Sequence, residues 1–211
     1  MSGKQRVTVV DYGMGNVHSL VSALNYVGAE VEVSAEPSAI AKASTLILPG
    51  VGSFPAAISV IQERRFDLAI YEALENPSSK LLGICLGMQL LGRDSTEGGG
   101  AVGLGILDFE VRELGATLRP SLPLPHIGFN SVSHNPRSSL FKELGESADY
   151  YFVHEFHCLS VPSEAVESQT SYGISFLAAI EDGKVFGTQF HPEKSQTNGL
   201  RVLTNFLGVE R

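Results

Sequence analysis

Lys80-Leu81-Leu82-Gly83-Ile84-Cys85-Leu86-Gly87-Met88-Gln89-Leu90-Leu91 is the stretch from which the rest of the sequence is most easily read. Residues 80–84 form an apolar run of the kind that lies buried on both faces of a parallel sheet. The residues after Cys85 have the look of a helix that starts immediately beyond a sharp turn. A thiol between two glycines at such a junction has the geometry of a nucleophile elbow. The strained turn needs residues without Cβ on both sides, it exposes the sulfur at the carboxyl edge of the sheet, and the helix dipole favours thiolate. The backbone N–H of Leu86 then points toward a reacting carbonyl. Taken alone, the pattern also suits a buried cysteine flanked by packing glycines.

Working outward, residues 7–10 are a β-branched strand that ends in Asp11-Tyr12-Gly13-Met14-Gly15-Asn16, and Val17, Leu20, Val21 and Leu24 then recur at helical spacing. Further strands are expected at 30–33 and 45–48, the latter stopping at the turn Pro49-Gly50-Val51-Gly52. One helix over about 54–75 leads through Asn76-Pro77-Ser78-Ser79 back to the elbow strand. Strands alternating with helices imply an α/β fold: a doubly wound, mostly parallel sheet with helices on both faces and right-handed crossovers. From Gly98 the pattern changes to glycines, prolines within 120–125, and short alternating segments at 109–114, 128–133 and 150–154. These predict antiparallel strands added at one edge. Residues 176–180 and 185–190 read as a hairpin around Glu181-Asp182-Gly183-Lys184, and 199–207 as a closing helix.

With 211 residues and 22.6 kDa, the chain is long enough for one sizeable core, so residues 1–211 are expected to form a single domain. Hydrophobic residues at 43% and charged residues at 18% fit a soluble globular protein. The net charge of -8 is spread along the chain and no Lys/Arg cluster marks a phosphate-binding stripe, which argues against nucleic acid as a partner. No apolar run approaches the ~20 residues that span a bilayer, and no signal-peptide region precedes the first strand. A cytoplasmic, membrane-free protein is expected. Two cysteines make no disulfide framework, and Cys158, in the apolar alternation 156–161, reads as packing. No metal cluster or dinucleotide fingerprint is found, so no metal and no cofactor are expected; Gly13 and Gly15 lack the third glycine at the required spacing.

The second chemical motif is Gly187-Thr188-Gln189-Phe190-His191-Pro192-Glu193-Lys194-Ser195, after a predicted strand. Glu193 lies two residues beyond His191, with φ fixed between them at Pro192, and can accept the hydrogen bond that fixes the histidine tautomer and stabilises imidazolium. An isolated His-x-Glu is more often an ordinary surface loop. Paired with an elbow cysteine, it points into the same crevice at the carboxyl ends of the strands.

These two motifs, together with 11–16, Leu48-Pro49-Gly50-Val51-Gly52-Ser53-Phe54 and Tyr150-Tyr151-Phe152-Val153-His154, are the pieces of a match that extends over nearly the whole chain. In them the sequence resembles the glutamine amidotransferase subunit of imidazole glycerol phosphate synthase, of histidine biosynthesis. The resemblance implies a Cys85-His191-Glu193 triad that hydrolyses L-glutamine to glutamate and ammonia through a thioester on Cys85. It also implies an oxyanion site from Leu86 and the Gly50-Val51-Gly52 segment, with Gln89 contacting substrate. In this family Pro-Gly-Val-Gly often presents a carbonyl where the second oxyanion donor is needed until the partner binds its own ligand. Glycines 50 and 52 make such a peptide flip sterically cheap, although on the residues alone the more ordinary reading is that they simply end a strand tightly. The implied partner is a TIM-barrel cyclase in a heterodimer, with Asn16, Phe129, Asn130, His154 and Lys194 as candidates for the docking face.

The chain departs from the family pattern where Phe129 replaces a usual tryptophan and Glu155-Phe156 a usual Ser-Tyr. The alternatives are a paralogue that supplies ammonia for amidination of a bacterial surface sugar, and a non-catalytic regulatory subunit.

Overall fold

A computed structural model describes residues 4–115, 122–159 and 164–208, so part of the proline stretch 120–125 and Ser160-Val161 lie outside the described residues. The amino-terminal half alternates strand and helix: β1 Arg6–Val10, α1 Val17–Tyr26, β2 Glu30–Ser34, a single turn α2 Pro37–Ile40, β3 Thr45–Gly50, α3 Phe54–Glu63, α4 Phe66–Glu75 and β4 Lys80–Cys85. The elbow leads into the short α5 Leu86–Leu90. Then come β5 Asp94–Ser95, β6 Ala101–Val102, β7 Glu110–Glu113, β8 His126–Ser133, β9 Ser147–His154, β10 Phe156–Cys158, β11 Val166–Tyr172, β12 Ile174–Asp182, β13 Val185–Thr188 and α6 Gln196–Leu207.

Nine strands make one sheet in the order β2-β1-β3-β4-β13-β12-β11-β8-β9. The first five run parallel and the rest join antiparallel, with β13 at the seam: it is parallel to β4 and antiparallel to its hairpin mate β12. Period-two alternation puts Leu46, Leu48 and Leu81 into a core with α2, α3 and α4. Ile47, Leu82 and Ile84 face the opposite way, into a core with α1 and α6. Helices therefore cover both faces, as expected of a doubly wound α/β fold. Each fully buried leucine or isoleucine contributes about 1.5–3 kcal/mol by leaving water, and β3, beside the elbow, is buried along its whole length.

Three details differ from the sequence reading. The expected helix over 54–75 is two helices, broken at Arg64-Arg65, where Arg65 is left-handed at φ 59. The reason lies in the phase of the apolar stripe: Phe54, Ala57, Ile58 and Ile61 are followed by Phe66, Ala69, Ile70 and Ala73. The step from 61 to 66 is one residue too long for a helix, so an unbroken helix would turn the second stripe about a third of a turn from the core. Second, β3 continues through Pro49 and Gly50, which pair with Ile84 and Cys85. Pairing with β1 has already ended at Ile47, so the missing proline N–H breaks no bond on that flank. Third, the segment at 109–114 does not join the edge of the large sheet. Its strand β7 belongs to a separate four-stranded sheet, β10-β7-β5-β6, beside α5. No helix among the described residues is long and apolar enough to cross a membrane.

Candidate active site

Cys85 ends β4 at φ 54 and ψ −111, a conformation L-residues rarely adopt, and the next residue begins α5. The two flanking glycines are sterically required. A Cβ at Gly87 would stand 1.8 Å from the Leu48 carbonyl oxygen, and one at Gly83 2.7 Å from the Met88 backbone. The elbow is thus pressed against β3 on one side and its own helix on the other. Cys85 is 6% exposed and opens onto a cavity of about 380 Å³ whose lining includes Val51, Gly52, Leu86, Gln89, Glu97 and Lys194. That volume suits a small polar metabolite.

His191 follows β13, the strand next to β4, and so arrives beside the elbow from across the seam. Its Nδ1 is 2.8 Å from Glu193 Oε1, with both side chains almost fully buried. A carboxylate can only accept, so Nδ1 carries the proton and Nε2 is left for chemistry. Among the described residues Nε2 has no hydrogen-bond partner. Burial works against a charged ring, but the adjacent Cys85 sulfur and then Glu193 outweigh it and push the His191 pKa up to about 10. The loop is pinned to β9: Ser195 Oγ donates to the His191 carbonyl at 2.6 Å and accepts from Tyr151 N–H at 2.9 Å, while His191 N–H donates to the Tyr151 carbonyl at 2.9 Å.

The residues expected around the oxyanion are present, in a particular state. Leu86 N–H lies in the first turn of α5, where helix geometry provides no internal acceptor. Val51 N–H is engaged elsewhere, donating to the Met14 carbonyl at 3.4 Å. Gly50 is held tightly, since a Cβ there would sit 2.5 Å from the Tyr12 hydroxyl and 2.9 Å from Gly87 N. Gln89 lines the cavity, but its amide N–H groups go to the Phe156 carbonyl at 2.8 Å and Gln189 Oε1 at 3.1 Å.

Of the residues expected on a docking face, Phe129 is 50% exposed and packs edge-on against Tyr151. Asn16 is exposed beside a small cavity that touches His191 and Glu193. Lys194 lies over the Tyr151 ring at the rim of the main cavity. Asn130 is half-buried, bonded to the Ser171 carbonyl. His154 is different: it is 6% exposed, faces the cavity wall and is bonded to His126, because it points inward on the alternation of β9. It is a buried polar residue and not part of an exposed face. Cys158 is fully buried in β10, and burial pushes its thiol well up, in keeping with a packing role.

Sequence reading missed Glu97 and Gln189. Glu97 lines the cavity and accepts the Phe54 N–H at the start of α3, 3.0 Å away. Its one signal is an acid ahead of three glycines, which reads equally well as a loop. Gln189 donates to Cys85 Sγ at 3.7 Å and lies inside a motif whose His and Glu drew the attention.

The description "glutamine amidotransferase class-I" matches residues 8–209. The imidazole glycerol phosphate synthase subunit HisH of Moorella thermoacetica is 42% identical over 200 residues, covering 95% of this chain and 93% of that one. The HisH subunit of Salinibacter ruber is 42% identical over 205 residues, 96% and 94% of the two chains. Among solved structures, a glutamine amidotransferase superimposes with TM-score 0.74 at 20% identity, covering 96% of this chain and 99% of that one. PurLQS from Thermotoga maritima gives 0.74 at 19%, covering 98% and 99%.

Proposed function

The chain belongs to the class-I glutamine amidotransferases, and from that premise we propose that Cys85, His191 and Glu193 are the working residues of a glutaminase subunit of imidazole glycerol phosphate synthase. The observation that carries this reading is a strained elbow cysteine opening on a metabolite-sized cavity with a buried His–Glu pair beside it.

Cys85 sulfur attacks the side-chain carbonyl carbon of L-glutamine. The oxygen, now carrying negative charge, is held by Leu86 N–H and a donor from the Gly50–Gly52 segment. His191, protonated on both ring nitrogens, gives its Nε2 proton to the leaving nitrogen, which departs as ammonia. A thioester remains on Cys85. Water then attacks the thioester carbon as Nε2 takes its proton, and glutamate leaves with the sulfur restored. Glutamine and water are consumed, glutamate and ammonia formed. Glu193 fixes the ring throughout. The α-ammonium and α-carboxylate of the substrate find opposite charges in Glu97 and Lys194 on the cavity wall.

The engaged Val51 N–H supports a resting state in which one oxyanion donor is withheld. Turning that peptide over would supply it, and the partner's own ligand is the expected trigger. The partner is a TIM-barrel cyclase in a heterodimer, the 211 residues act as one domain, and the complex works in the cytoplasm. The HisH relatives favour this acceptor pathway over the surface-sugar alternative.

The test is glutamine hydrolysis by the purified chain, alone and with the cyclase subunit and its nucleotide ligand. The expected outcome is a low basal rate, a large stimulation by the liganded partner, and loss of both in Cys85→Ala. Hydrolysis that survives in Cys85→Ala would refute the assignment.

A further inference from the structure

Two runs of hydrogen bonds meet at the Phe156 carbonyl in the wall of the cavity: one donates into it through His126 and His154, and the other starts at Gln89, which donates to that carbonyl and, through Gln189, toward the Cys85 sulfur. In the first run His154 Nδ1 is 2.9 Å from the Phe156 carbonyl. A carbonyl only accepts, so Nδ1 holds the proton and His154 Nε2 is a bare lone pair. His126 Nδ1, 2.9 Å from that lone pair, must therefore be the donor, which leaves His126 Nε2 to accept from Asn130 Nδ2 at 3.4 Å. His126 is held in place between the rings of Phe152 and Tyr172. Both histidines are neutral: burial takes His126 down to about 4 and His154 to about 3.

The same Phe156 carbonyl accepts a second bond, from Gln89 Nε2 at 2.8 Å. The other proton of that amide goes to Gln189 Oε1 at 3.1 Å, which fixes the Gln189 amide with its nitrogen toward Cys85 Sγ, 3.7 Å away. Gln189 is fully buried, so no water competes for this bond.

We propose that Gln189 is a positioning residue for Cys85. Its amide N–H holds the sulfur in its attacking orientation and stabilises it when charged, and its own orientation is set by Gln89, the Phe156 carbonyl and the neutral pair His154 and His126. This deepens the reading of Cys85 as nucleophile and rests on it. An amide suits the task because it keeps its donor at every working pH, whereas His191 must give its proton away during the reaction. The titratable groups interacting with Cys85 are His191 with Glu193 behind it, Tyr12 from the loop after β1, and Cys158 from β10, while Glu97, His154, Glu155 and Lys194 share the wall of its cavity. Gln189 supplies a donor that none of them provides from its side of the sulfur.

The test reads the sulfur directly, without turnover or partner. Iodoacetamide alkylation of Cys85 is followed by mass spectrometry against pH in the unaltered chain, in Gln189→Met, which keeps the bulk and loses the donor, and in Gln189→Glu, which keeps the shape and presents an acceptor. Losing one donor to a charged group slows alkylation at neutral pH about tenfold in Gln189→Met. Gln189→Glu is slower still, and both rates converge with the unaltered chain at alkaline pH, a recovery that a merely damaged site would not show. A variant that melts cooperatively and has an unchanged alkylation profile overturns the proposal. So does loss of cooperative melting in both variants, which would make Gln189 a packing residue. Cys85→Ala separates the two levels of the argument: if it keeps glutaminase activity, the nucleophile itself is misassigned, whereas a dead Cys85→Ala with an unaltered Gln189 profile removes this inference alone.

Discussion

His191 is the residue on which pH behaviour turns. Burial lowers its affinity for a proton, yet Cys85 and Glu193 raise it to about 10. The charged ring is therefore kept through neutral pH and lost as pH rises through that value. Glu193→Gln keeps the size and removes one of the raising charges, so the alkaline limb of kcat/KM for glutamine hydrolysis should move toward neutral, with kcat at pH 8 down about tenfold. An alkaline limb that stays in place would detach Glu193 from the histidine. The elbow gives a second prediction. Gly87→Ala drives a methyl into the Leu48 carbonyl, so the urea midpoint should fall by an amount worth about 3 kcal/mol with little change in slope. The elbow at Cys85 and the hydrogen-bonded pair His191–Glu193 were legible in the sequence because a cysteine between glycines after an apolar strand, and a histidine and glutamate around a proline, are distinctive local orders. Glu97 and Gln189 were not, because their roles arise from contacts across 43 and 104 residues that no local spacing encodes.

At the scale of elements, the parallel half could be read because each strand is a continuous apolar run and each helix carries its stripe. The break between α3 and α4 was also written in the chain, as the slip of the stripe between Ile61 and Phe66, but Arg64-Arg65 carries no glycine or proline to announce it. Arg65 is left-handed at φ 59, which costs a side chain with Cβ about 1 kcal/mol and a β-branched one more. Arg65→Val should lower stability by about 1–2 kcal/mol in chemical denaturation, while Arg65→Gly should leave it within about 0.5 kcal/mol or raise it slightly. Equal losses from the two would mean that the Arg65 side chain and not the backbone sets the break. Of the small sheet only β7 could be read, as the alternation at 109–114, and its separation from the large sheet could not. Strands of two residues, β5 and β6, have no periodicity to detect, and they exist because β7 and β10 give them an edge to pair with.

On the scale of the whole molecule, the carboxyl ends of the parallel strands and the antiparallel extension share one rim. Phe129, half exposed on β8 beside Tyr151, stands on that extension as a large apolar side chain left uncovered. If the partner docks here, Phe129→Asp should weaken the complex tenfold or more by titration calorimetry, with the isolated chain's stability changed by less than about 0.5 kcal/mol. Unchanged affinity would move the docking face elsewhere. The seam strand β13 has a further consequence, in time and not in space. It is the fifth strand of the sheet by position but the thirteenth to be synthesised, and until it slots in, β4 has an open apolar edge and Cys85 has no histidine. At 5–20 residues per second, the gap between the cysteine and its seam-side neighbours on the ribosome lasts about 5–20 s. During that interval the nascent chain is exposed to mispairing. The pairing of the elbow with the histidine loop is thus completed only after β13 has emerged, long after β4 itself.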